Sequence, residues 1–377
     1  MKILLAPDSF KESMTAVEAA EAMERGVRRI YPNAECVKLP FADGGEGTAE
    51  CLVMMTGGEM KTAAVTGPLG ETVHACYGII NGDTAVIETA ECCGLPITPP
   101  DRRDPRITTS YGVGELIFHV MEQGIHKLIV GLGGSATNDG GAGMLAALGV
   151  VFTDAKGRSF VPAGGSLGEI AGISFGGLDS RLKELQITIA SDVTNPLTGR
   201  NGASYVYARQ KGADDAMIPV LEDGMRHYAA LLEQHFGKTI AEIPGAGAAG
   251  GLGAAFFACL GANMESGVEL LLRLSGMAEK LAGADYVFTG EGSVDAQSAM
   301  GKTPCGIARL ASTKGVPTII FAGRVGDGLE PLYQIGVNGA IAITPPGQPL
   351  EEALKNGAVN MENAVAGWLE KSQSQVR

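Results

Sequence analysis

Short, continuous apolar segments alternate with amphipathic ones at both ends of the chain. Residues 2–6 and 35–39 predict strands, and between them a helix is expected over 16–30, opened by a capping box of Thr15 and Glu18. The same rhythm returns near the C-terminus, in strands predicted at residues 285–289, 317–321 and 340–343. Continuous apolar strands separated by helices are typical of a buried parallel sheet. We therefore predict that these five strands share one sheet.

The middle of the chain has a different pattern. The segments MKTAAVTGPLG, ETVHACYGII and DTAVIETA predict successive strands with turns at Gly67-Pro68 and Asn81-Gly82, which favours an antiparallel meander. A helix at 110–123, strands at 127–130 and 186–191, and helices near 217–236, 249–260 and 267–274 are expected to follow. The predicted fold class is α/β with two domains. Residues 1–66 plus 278–377 would form a discontinuous parallel-sheet domain, and residues 67–277 an inserted mixed α/β domain.

Polar residues concentrate in five glycine-containing loops, at residues 7–13, 43–48, 131–143, 191–196 and 290–303. Several of these loops come directly after a predicted strand. In open α/β sheets, ligands bind outside the carboxyl ends of the strands. Each loop alone fits ordinary turn chemistry, but together they predict one active site to which distant parts of the chain contribute.

The segment GLGGSA at residues 131–136 fits G-x-G-x-x-G/A, the turn that binds dinucleotides, and Asp154 lies downstream at a suitable distance. In a dinucleotide-binding fold, however, the third small residue lies inside a helix that opens at once. Here a turn signal, TNDGG, comes next, and the helix is expected only after Asp139, which would cap it. An NAD(P)-dependent oxidoreductase of a small hydroxy acid therefore remains an alternative, and another phosphate ligand is favoured.

A second apparent motif, residues 296–303, fits a P-loop only if Ala296 replaces the first glycine. A P-loop must also follow its strand immediately. Here the strand is expected to end near Thr289, and the carboxylates of Glu291 and Asp295 intervene. Carboxylates suit Mg²⁺, or a base acting on a substrate hydroxyl, better than a triphosphate cradle.

Composition excludes several classes of protein. The net charge is −13 without a basic stripe, so neither nucleic acid nor an anionic membrane is an expected partner. The seven cysteines form no C-x-x-C pair, and the chain starts directly with a strand, so a reduced, cytoplasmic protein without a signal peptide is predicted. The uncharged stretch near 243–264 consists mainly of Gly and Ala, which favours a buried helix over a membrane span. All five histidines lie outside the loops, which argues against a zinc enzyme or a His-based hydrolase.

Six segments occur in a characteristic order: APDSFKES, ADGGEGT, GLGGSATNDGGAG, SDVTNPLTG, PGAGAAGGLGA and TGEGSVDAQSAMGKTP. Together they resemble the bacterial glycerate kinase family, of the type whose first loop reads PDSFK, over nearly the whole chain. Ser298 stands where that family often has Thr, and the hydroxyl is kept. The resemblance implies ATP-dependent phosphorylation of D-glycerate with Mg²⁺, 2-phosphoglycerate being the favoured product. It also implies a Rossmann- or flavodoxin-like domain and a second α/β domain that flank the active-site cleft.

The loop residues fit phosphoryl transfer, which needs donors for the phosphates, a metal, cations and a carboxylate base. Asp295 is the first choice for the base and Asp8 the second, with Lys11 and Lys302 as cations. Asp192 and Glu291 are the candidate Mg²⁺ ligands. The candidate cofactor-binding residues are Gly133, Gly134, Ser135, Thr137, Asn138 and Asp139. The candidate substrate-binding residues are Ser9, Asp43, Gly44, Gly45 and Glu46.

Simpler interpretations remain open for some of these residues. Asp139 could serve only as a helix cap, and Glu46 only as an acid in the first turn of a helix. The glycines at 244–253 could serve helix packing alone. A non-enzymatic sensor of a small acid is a further alternative for the whole chain, and a homodimer stays open.

Overall fold

The structure is a computed structural model that describes residues 1–295, 298 and 303–376. The chain divides into two compact units. The first unit contains Met1–Asp43, Glu50–Gly57 and Gly267–Arg377, and the second contains Gly44–Ala49 and Gly58–Ser266.

The strands of the described residues are β1 (Lys2–Pro7), β2 (Glu35–Lys38), β3 (Glu59–Thr66), β4 (Thr72–Ile80), β5 (Thr84–Glu88), β6 (Lys127–Gly131), β7 (Val151–Thr153), β8 (Ser159–Phe160), β9 (Gly172–Ser174), β10 (Gln186–Ala190), β11 (Asn263–Glu265), β12 (Tyr286–Val294), β13 (Thr318–Val325) and β14 (Val337–Ala342). The helices are α1 (Ala16–Ile30), α2 (Thr48–Thr56), α3 (Thr89–Cys93), α4 (Tyr111–Glu122), α5 (Ala142–Ala147), α6 (Ala203–Tyr207), α7 (Met217–Phe236), α8 (Ala248–Cys259), α9 (Gly267–Leu274), α10 (Met277–Lys280), α11 (Thr303–Thr313), α12 (Glu330–Gln334), α13 (Leu350–Lys355) and α14 (Gly357–Val376).

The first unit is built on a five-stranded sheet in the order β14-β13-β12-β1-β2. Every neighbouring pair in it is parallel, which confirms the prediction that these five strands share one sheet. Pro7 at the end of β1 lies level with Gly290 in β12. Asp8 therefore leaves the sheet beside β12, which continues to Val294 in pairing with β13.

Two helices cover one face of this sheet. The predicted capping box opens α1, because the Thr15 hydroxyl accepts from Glu18 N and the Glu18 carboxylate accepts from Thr15 N. Gly26 of α1 allows close packing on α14, since a Cβ there would lie 2.6 Å from the Glu362 carbonyl oxygen. Apolar side chains of α1 and α14 share a core with Phe288 of β12 and Phe321 of β13.

The second unit is built on a six-stranded mixed sheet in the order β11-β10-β6-β5-β4-β3. The strands β3, β4 and β5 pair antiparallel, as the meander pattern predicted. The remaining pairs, β5 with β6, β6 with β10 and β10 with β11, are parallel. Glu88 and Ala190 both lie level with Gly131, so three parallel strands end at one edge.

Several features differ from the sequence expectation or extend it. A small antiparallel sheet, β8-β7-β9, was not predicted, because its strands have only two or three residues each. Helix α2 begins at Thr48 rather than near Glu46. The division into units places β3 in the second unit and α9 in the first, on the other side of the suggested boundaries at 66/67 and 277/278.

The Gly/Ala-rich segment forms a helix with an irregular start. Ala249, Gly250 and Gly251 have positive φ angles of 51°, 72° and 94°, so the regular part of α8 begins only after them. In the part of the chain that the structure describes, no helix is both long and apolar enough to cross a membrane. All seven cysteines are described, and all are thiols.

Candidate active site

Asp8 follows the end of β1 in the first unit and is half-buried. Its Oδ2 accepts from the Thr303 hydroxyl at 2.7 Å, its Oδ1 from Ser9 N at 2.6 Å. Burial raises the pKa of the Asp8 carboxyl, and the charge of Asp43 raises it further, against the lowering effect of the two hydrogen bonds. A fixed carboxylate with a raised pKa can take a proton from a hydroxyl.

Glu291 lies on β12, the strand that pairs with β1, and Asp295 directly follows the end of β12. Gly290 permits this arrangement, because a Cβ there would lie 2.0 Å from the Phe321 carbonyl oxygen of β13. Glu291 and Asp295 are both half-buried. Asp295 N donates to the Ser298 hydroxyl at 3.2 Å, which fixes the backbone where the strand ends. The structure therefore brings Asp8, Glu291 and Asp295 to the same edge of the first sheet.

Lys11 lies in a closed turn beside these carboxylates. Phe10 N donates to Met14 O at 2.9 Å and Met14 N to Phe10 O at 3.0 Å, so the intervening residues protrude from the turn. Lys11 is exposed there, and Ser9 is half-buried. The second predicted cation, Lys302, lies outside the described residues.

In the second unit, a buried carboxylate that sequence reasoning did not single out holds the 44–49 loop. Glu88, at the end of β5, is 5% exposed. It accepts from Gly47 N at 2.9 Å and from Ala49 N at 2.8 Å. Gly44 has a φ of 89°, and a Cβ there would lie 2.6 Å from the Ala190 carbonyl oxygen. The loop is thus held tightly against the ends of β5 and β10.

Burial raises the pKa of Glu88 to about 7, with smaller contributions from Glu91 and Glu46. The hydrogen bonds from Gly47 N and Ala49 N lower this pKa, but by less than burial raises it. Glu46 itself is exposed at the tip of the loop, while Asp43 before it is exposed in the first unit. Glu88 is therefore poised to change its charge near neutral pH.

The segment after β6 forms a turn that we call the glycine turn, residues 133–137. Its Gly134 is exposed and has a φ of 63°. The Thr89 hydroxyl holds the start of the turn by donating to Gly131 O and Gly133 O at 3.3 and 3.2 Å. Left-handed glycines in such turns let successive backbone N–H groups face an anion.

The side chains of Thr137, Asn138 and Asp139 are fully buried. The Thr137 hydroxyl contacts Cys93 Sγ, and Asn138 Nδ2 donates to the Ser204 hydroxyl at 3.1 Å. Asp139 accepts from Ser110 N, Ser110 Oγ, Gly141 N and Gly143 N. These three side chains support the glycine turn from the protein interior. The N-cap residue of α5 is Gly141 and not Asp139, so the cap prediction is wrong, although Asp139 accepts from the N–H groups of Gly141 and Gly143 near the start of that helix.

A buried lysine lies beneath the same turn. Lys211, just after α6, is 2% exposed. Its Nζ donates to Ser135 Oγ at 3.0 Å and to Thr137 O at 2.6 Å. Burial lowers the pKa of Lys211 to about 8, although Cys93 and Asp139 act to raise it. The turn is therefore positively charged from below at neutral pH.

Asp192 lies at the end of the neighbouring strand, β10. Its side chain is exposed, whereas Ser191 before it is buried and accepts from Val193 N through its hydroxyl at 3.2 Å. The second unit thus presents Asp192, the glycine turn and the 44–49 loop at the carboxyl ends of its parallel strands.

Known proteins resemble this chain along nearly its whole length. The model of the glycerate kinase family matches residues 3–370. A glycerate kinase of Bacillus cereus is 46% identical over 98% of both chains, and a glycerate 2-kinase of Escherichia coli K12 is 46% identical over 96% of this chain and 95% of its own. A crystal structure from Salmonella typhimurium LT2, assigned as glycerate kinase 2, is 43% identical and superimposes with a TM-score of 0.87 over 100% of this chain and 99% of the other.

The chain belongs to the glycerate kinase family.

Membership of the glycerate kinase family agrees with the local structure at the dinucleotide-like motif. Ala136, the third small residue of that motif, lies six residues before the first residue of α5, so it is not inside a helix. A dinucleotide-binding turn requires it there. Neither the relatives nor this geometry supports an NAD(P) enzyme.

Sequence reasoning missed two buried charged residues of the candidate site. Glu88 had a usable signal, because it ends a continuous apolar strand, TAVIE, whose carboxyl end was expected at the ligand edge. Lys211 had none, because it lies in the polar segment ARQKG and its side-chain hydrogen bonds reach residues more than 70 positions away.

Proposed function

We propose that this chain transfers the γ-phosphoryl group of ATP to D-glycerate, with the 2-hydroxyl as acceptor. The observation that carries the proposal is the near full-length match to curated glycerate kinases. The relative from Escherichia coli carries the more specific name glycerate 2-kinase, which supports the 2-position. ATP is the phosphate donor that membership of this kinase family implies.

The glycine turn is the proposed binding site for the phosphates of ATP. Backbone N–H groups of Gly133, Gly134 and Ser135 would donate to phosphate oxygens, as in other glycine-rich phosphate sites. Gly133 and Gly134 are accessible, and the left-handed Gly134 shapes the turn. Thr137, Asn138 and Asp139 would contribute by holding that backbone, because their side chains are bonded inside the protein.

The carboxylates of the first unit are proposed to act on the substrate hydroxyl. Asp295 would accept its proton, and Asp8 is the second candidate because of its fixed position and raised pKa. Lys11 would stabilise the charge on the transferred group. Ser9, Asp43, Gly44, Gly45 and Glu46 remain the proposed glycerate-binding residues.

Mg²⁺ is a proposal in its own right. Within the described residues, no three His, Cys, Asp or Glu side chains are grouped so that they could hold a metal ion. That agrees with the chemistry of Mg²⁺ in kinases, where one or two carboxylates and the substrate phosphates complete the coordination shell with water. Asp192 of the second unit or Glu291 of the first would hold it, and the ion would neutralise phosphate charge when bound.

The proposal is tested by measuring ADP release from ATP in the presence of D-glycerate, with L-glycerate and no acceptor as matched controls. We expect release with D-glycerate that requires Mg²⁺. The product is then compared with authentic 2- and 3-phosphoglycerate by ³¹P NMR. Binding of glycerate without ADP release would favour the sensor alternative, and 3-phosphoglycerate would refute the proposed acceptor hydroxyl.

A further inference from the structure

Lys211 carries a positive charge in a part of the second unit where charge is costly. Transferring an ammonium group from water into a protein interior is unfavourable unless that group finds compensating partners. Among the described residues, the ion pairs closer than 4 Å do not include Lys211. Its two acceptors, Ser135 Oγ and Thr137 O, are neutral and both belong to the glycine turn.

The nearest acidic groups do not take over this charge. Asp139 is buried and influences Lys211, but its carboxylate already accepts four hydrogen bonds from Ser110, Gly141 and Gly143. Cys93, the other group that acts on Lys211, has a pKa raised to about 12 by burial, so it is a neutral thiol. The charged group in direct contact with the turn is therefore the ammonium of Lys211.

The contact with Lys211 also decides what Ser135 can do. A serine hydroxyl has one hydrogen to donate and two lone pairs that accept. Lys211 Nζ occupies one lone pair, so the ammonium polarises the hydroxyl and favours its role as a donor. Among the described residues, that hydrogen has no protein acceptor.

The position of Lys211 is enforced by its backbone. Lys211 N donates to Ala208 O at 3.0 Å, and the next residue, Gly212, has a φ of 101°. A Cβ at Gly212 would lie 2.0 Å from the Arg103 carbonyl oxygen, so the chain turns sharply there. Above the lysine, a Cβ at Gly250 would lie 2.9 Å from Nζ. Close packing at Gly212 and Gly250 thus holds the ammonium where it donates to the glycine turn.

We propose that Lys211 is a positioning residue that charges the glycine turn from below, so that Ser135 donates its hydroxyl hydrogen to a phosphate oxygen of ATP. The inference deepens the proposed function and assigns the nucleotide, rather than glycerate, to this turn. An anion above the turn would add an opposite charge on the side of Lys211 where no carboxylate of the described residues lies within 4 Å of its Nζ. Lys211 acts through Ser135 and does not touch the ligand.

Equilibrium binding of Mg·ATP without glycerate tests this inference separately from the proposed reaction. Isothermal titration calorimetry at pH 7 compares the wild type with K211M, S135A and the double variant, and exposed Lys183→Met is the matched control. We expect the Kd for Mg·ATP to rise about tenfold or more in K211M and S135A, the size typical of a lost charge-assisted hydrogen bond. The double variant should be little worse than either single one, because Lys211 acts through Ser135. K183M should bind like the wild type.

The pH dependence gives a readout that a merely structural lysine would not produce. As Lys211 loses its proton near pH 8, the wild-type Kd should rise between pH 7 and 9.5, while that of K211M stays flat. Of the two groups that face Lys211, Cys93 has a pKa of about 12 and stays a neutral thiol over this range. Burial raises the pKa of the Asp139 carboxyl, against the lowering effect of its hydrogen bonds. Should K211M not fold, S135A and the wild-type pH series still decide the question.

An unchanged Kd in K211M and S135A, or a flat wild-type pH series, would overturn the inference. A weakened affinity for glycerate with normal Mg·ATP binding would overturn it as well. If Lys211 behaves as expected but no ADP is released with D-glycerate, the proposed function fails and the nucleotide site stands.

Discussion

Glu88 holds the 44–49 loop through two backbone N–H groups, and its carboxyl is nearly fully buried. The pKa of about 7 lies above the ordinary Glu value of 4.5, because burial disfavours the charge more than the two bonds favour it. Between these values the folded chain holds the proton more tightly than the unfolded chain. The resulting stability is complete below pH 4.5 and is lost as the pH rises through about 7.

Replacing Glu88 by Gln removes this titration. We expect the free energy of unfolding of the wild type, relative to E88Q, to fall by about 2–3 kcal/mol between pH 5 and pH 8. Urea unfolding of both proteins at the two pH values measures it, and exposed Glu184→Gln serves as the control. Parallel pH curves for the wild type and E88Q would show that Glu88 does not titrate in this range.

The two candidate bases can be separated by their effects on turnover. Asp295→Asn should lower kcat about 10²–10⁴-fold, the usual cost of losing a general base, and leave the Kd for Mg·ATP nearly unchanged. Asp8→Asn keeps an oxygen that can accept from the Thr303 hydroxyl, so it should fold and retain more activity. Steady-state kinetics with D-glycerate compare the two. If Asp8→Asn loses turnover and Asp295→Asn keeps it, the roles are exchanged.

At the scale of the elements, the start of α8 shows why glycines accumulate in this chain. Gly250 has a φ of 72°, and a Cβ there would lie 2.0 Å from the Thr137 carbonyl oxygen. That oxygen also accepts the hydrogen bond from Lys211. The glycines at 250 and 251 therefore let α8 approach the loop that contains the glycine turn, which is a packing role.

Gly250→Ala tests this role against Gly261→Ala, a matched control just after the same helix. Gly261 has a φ of 68° but nothing within 4 Å of a Cβ, so its substitution should cost only the left-handed strain, about 1–2 kcal/mol. Gly250→Ala adds a clash with backbone and should cost about 3 kcal/mol or more. Urea denaturation gives both values, and equal losses would mean that the approach to Thr137 carries no cost.

At the scale of the whole molecule, two sheets each end in a polar edge. The first unit presents carboxylates after β1 and β12, and the second presents backbone turns after β5, β6 and β10. Carboxylates suit the acceptor hydroxyl, and backbone N–H groups backed by a lysine suit phosphate. In the proposed function, the first unit would act on the acceptor hydroxyl and the second would bind the phosphates.

Ligand-dependent stability checks the function of the whole chain. A ligand at about 100 times its Kd stabilises the folded protein by about 2.7 kcal/mol. We expect Mg·ATP to raise the Tm by several degrees and NADH at the same concentration to leave it unchanged. A rise with NADH and none with Mg·ATP would revive the oxidoreductase alternative. Differential scanning calorimetry makes the comparison.

Much of the fold follows from the local pattern of the sequence. Buried parallel strands must be apolar on both faces, so β1 and the first parts of β12 and β13 stand out as apolar runs, and the capping box of α1 is complete within four residues. The meander is marked by its turn residues at Gly67-Pro68 and Asn81-Gly82. The loops of the site were found for the same reason, because each follows a strand that the pattern reveals.

The tertiary structure alone decided the pKa values, and so the charges, of the buried groups at the candidate site. Whether Glu88 or Lys211 is charged near neutral pH depends on burial by residues that are distant along the chain, and no local pattern records that burial. The same holds for Asp139, whose carboxylate is turned inward by Ser110, and for the left-handed start of α8, which is set by contact with Thr137. The sequence by itself determined most strands of the two large sheets, the polar residues at their ends and the family, since these depend on residues that are close together in the chain. Desolvation and close backbone approach arise only when remote segments pack together, and so they required the folded chain.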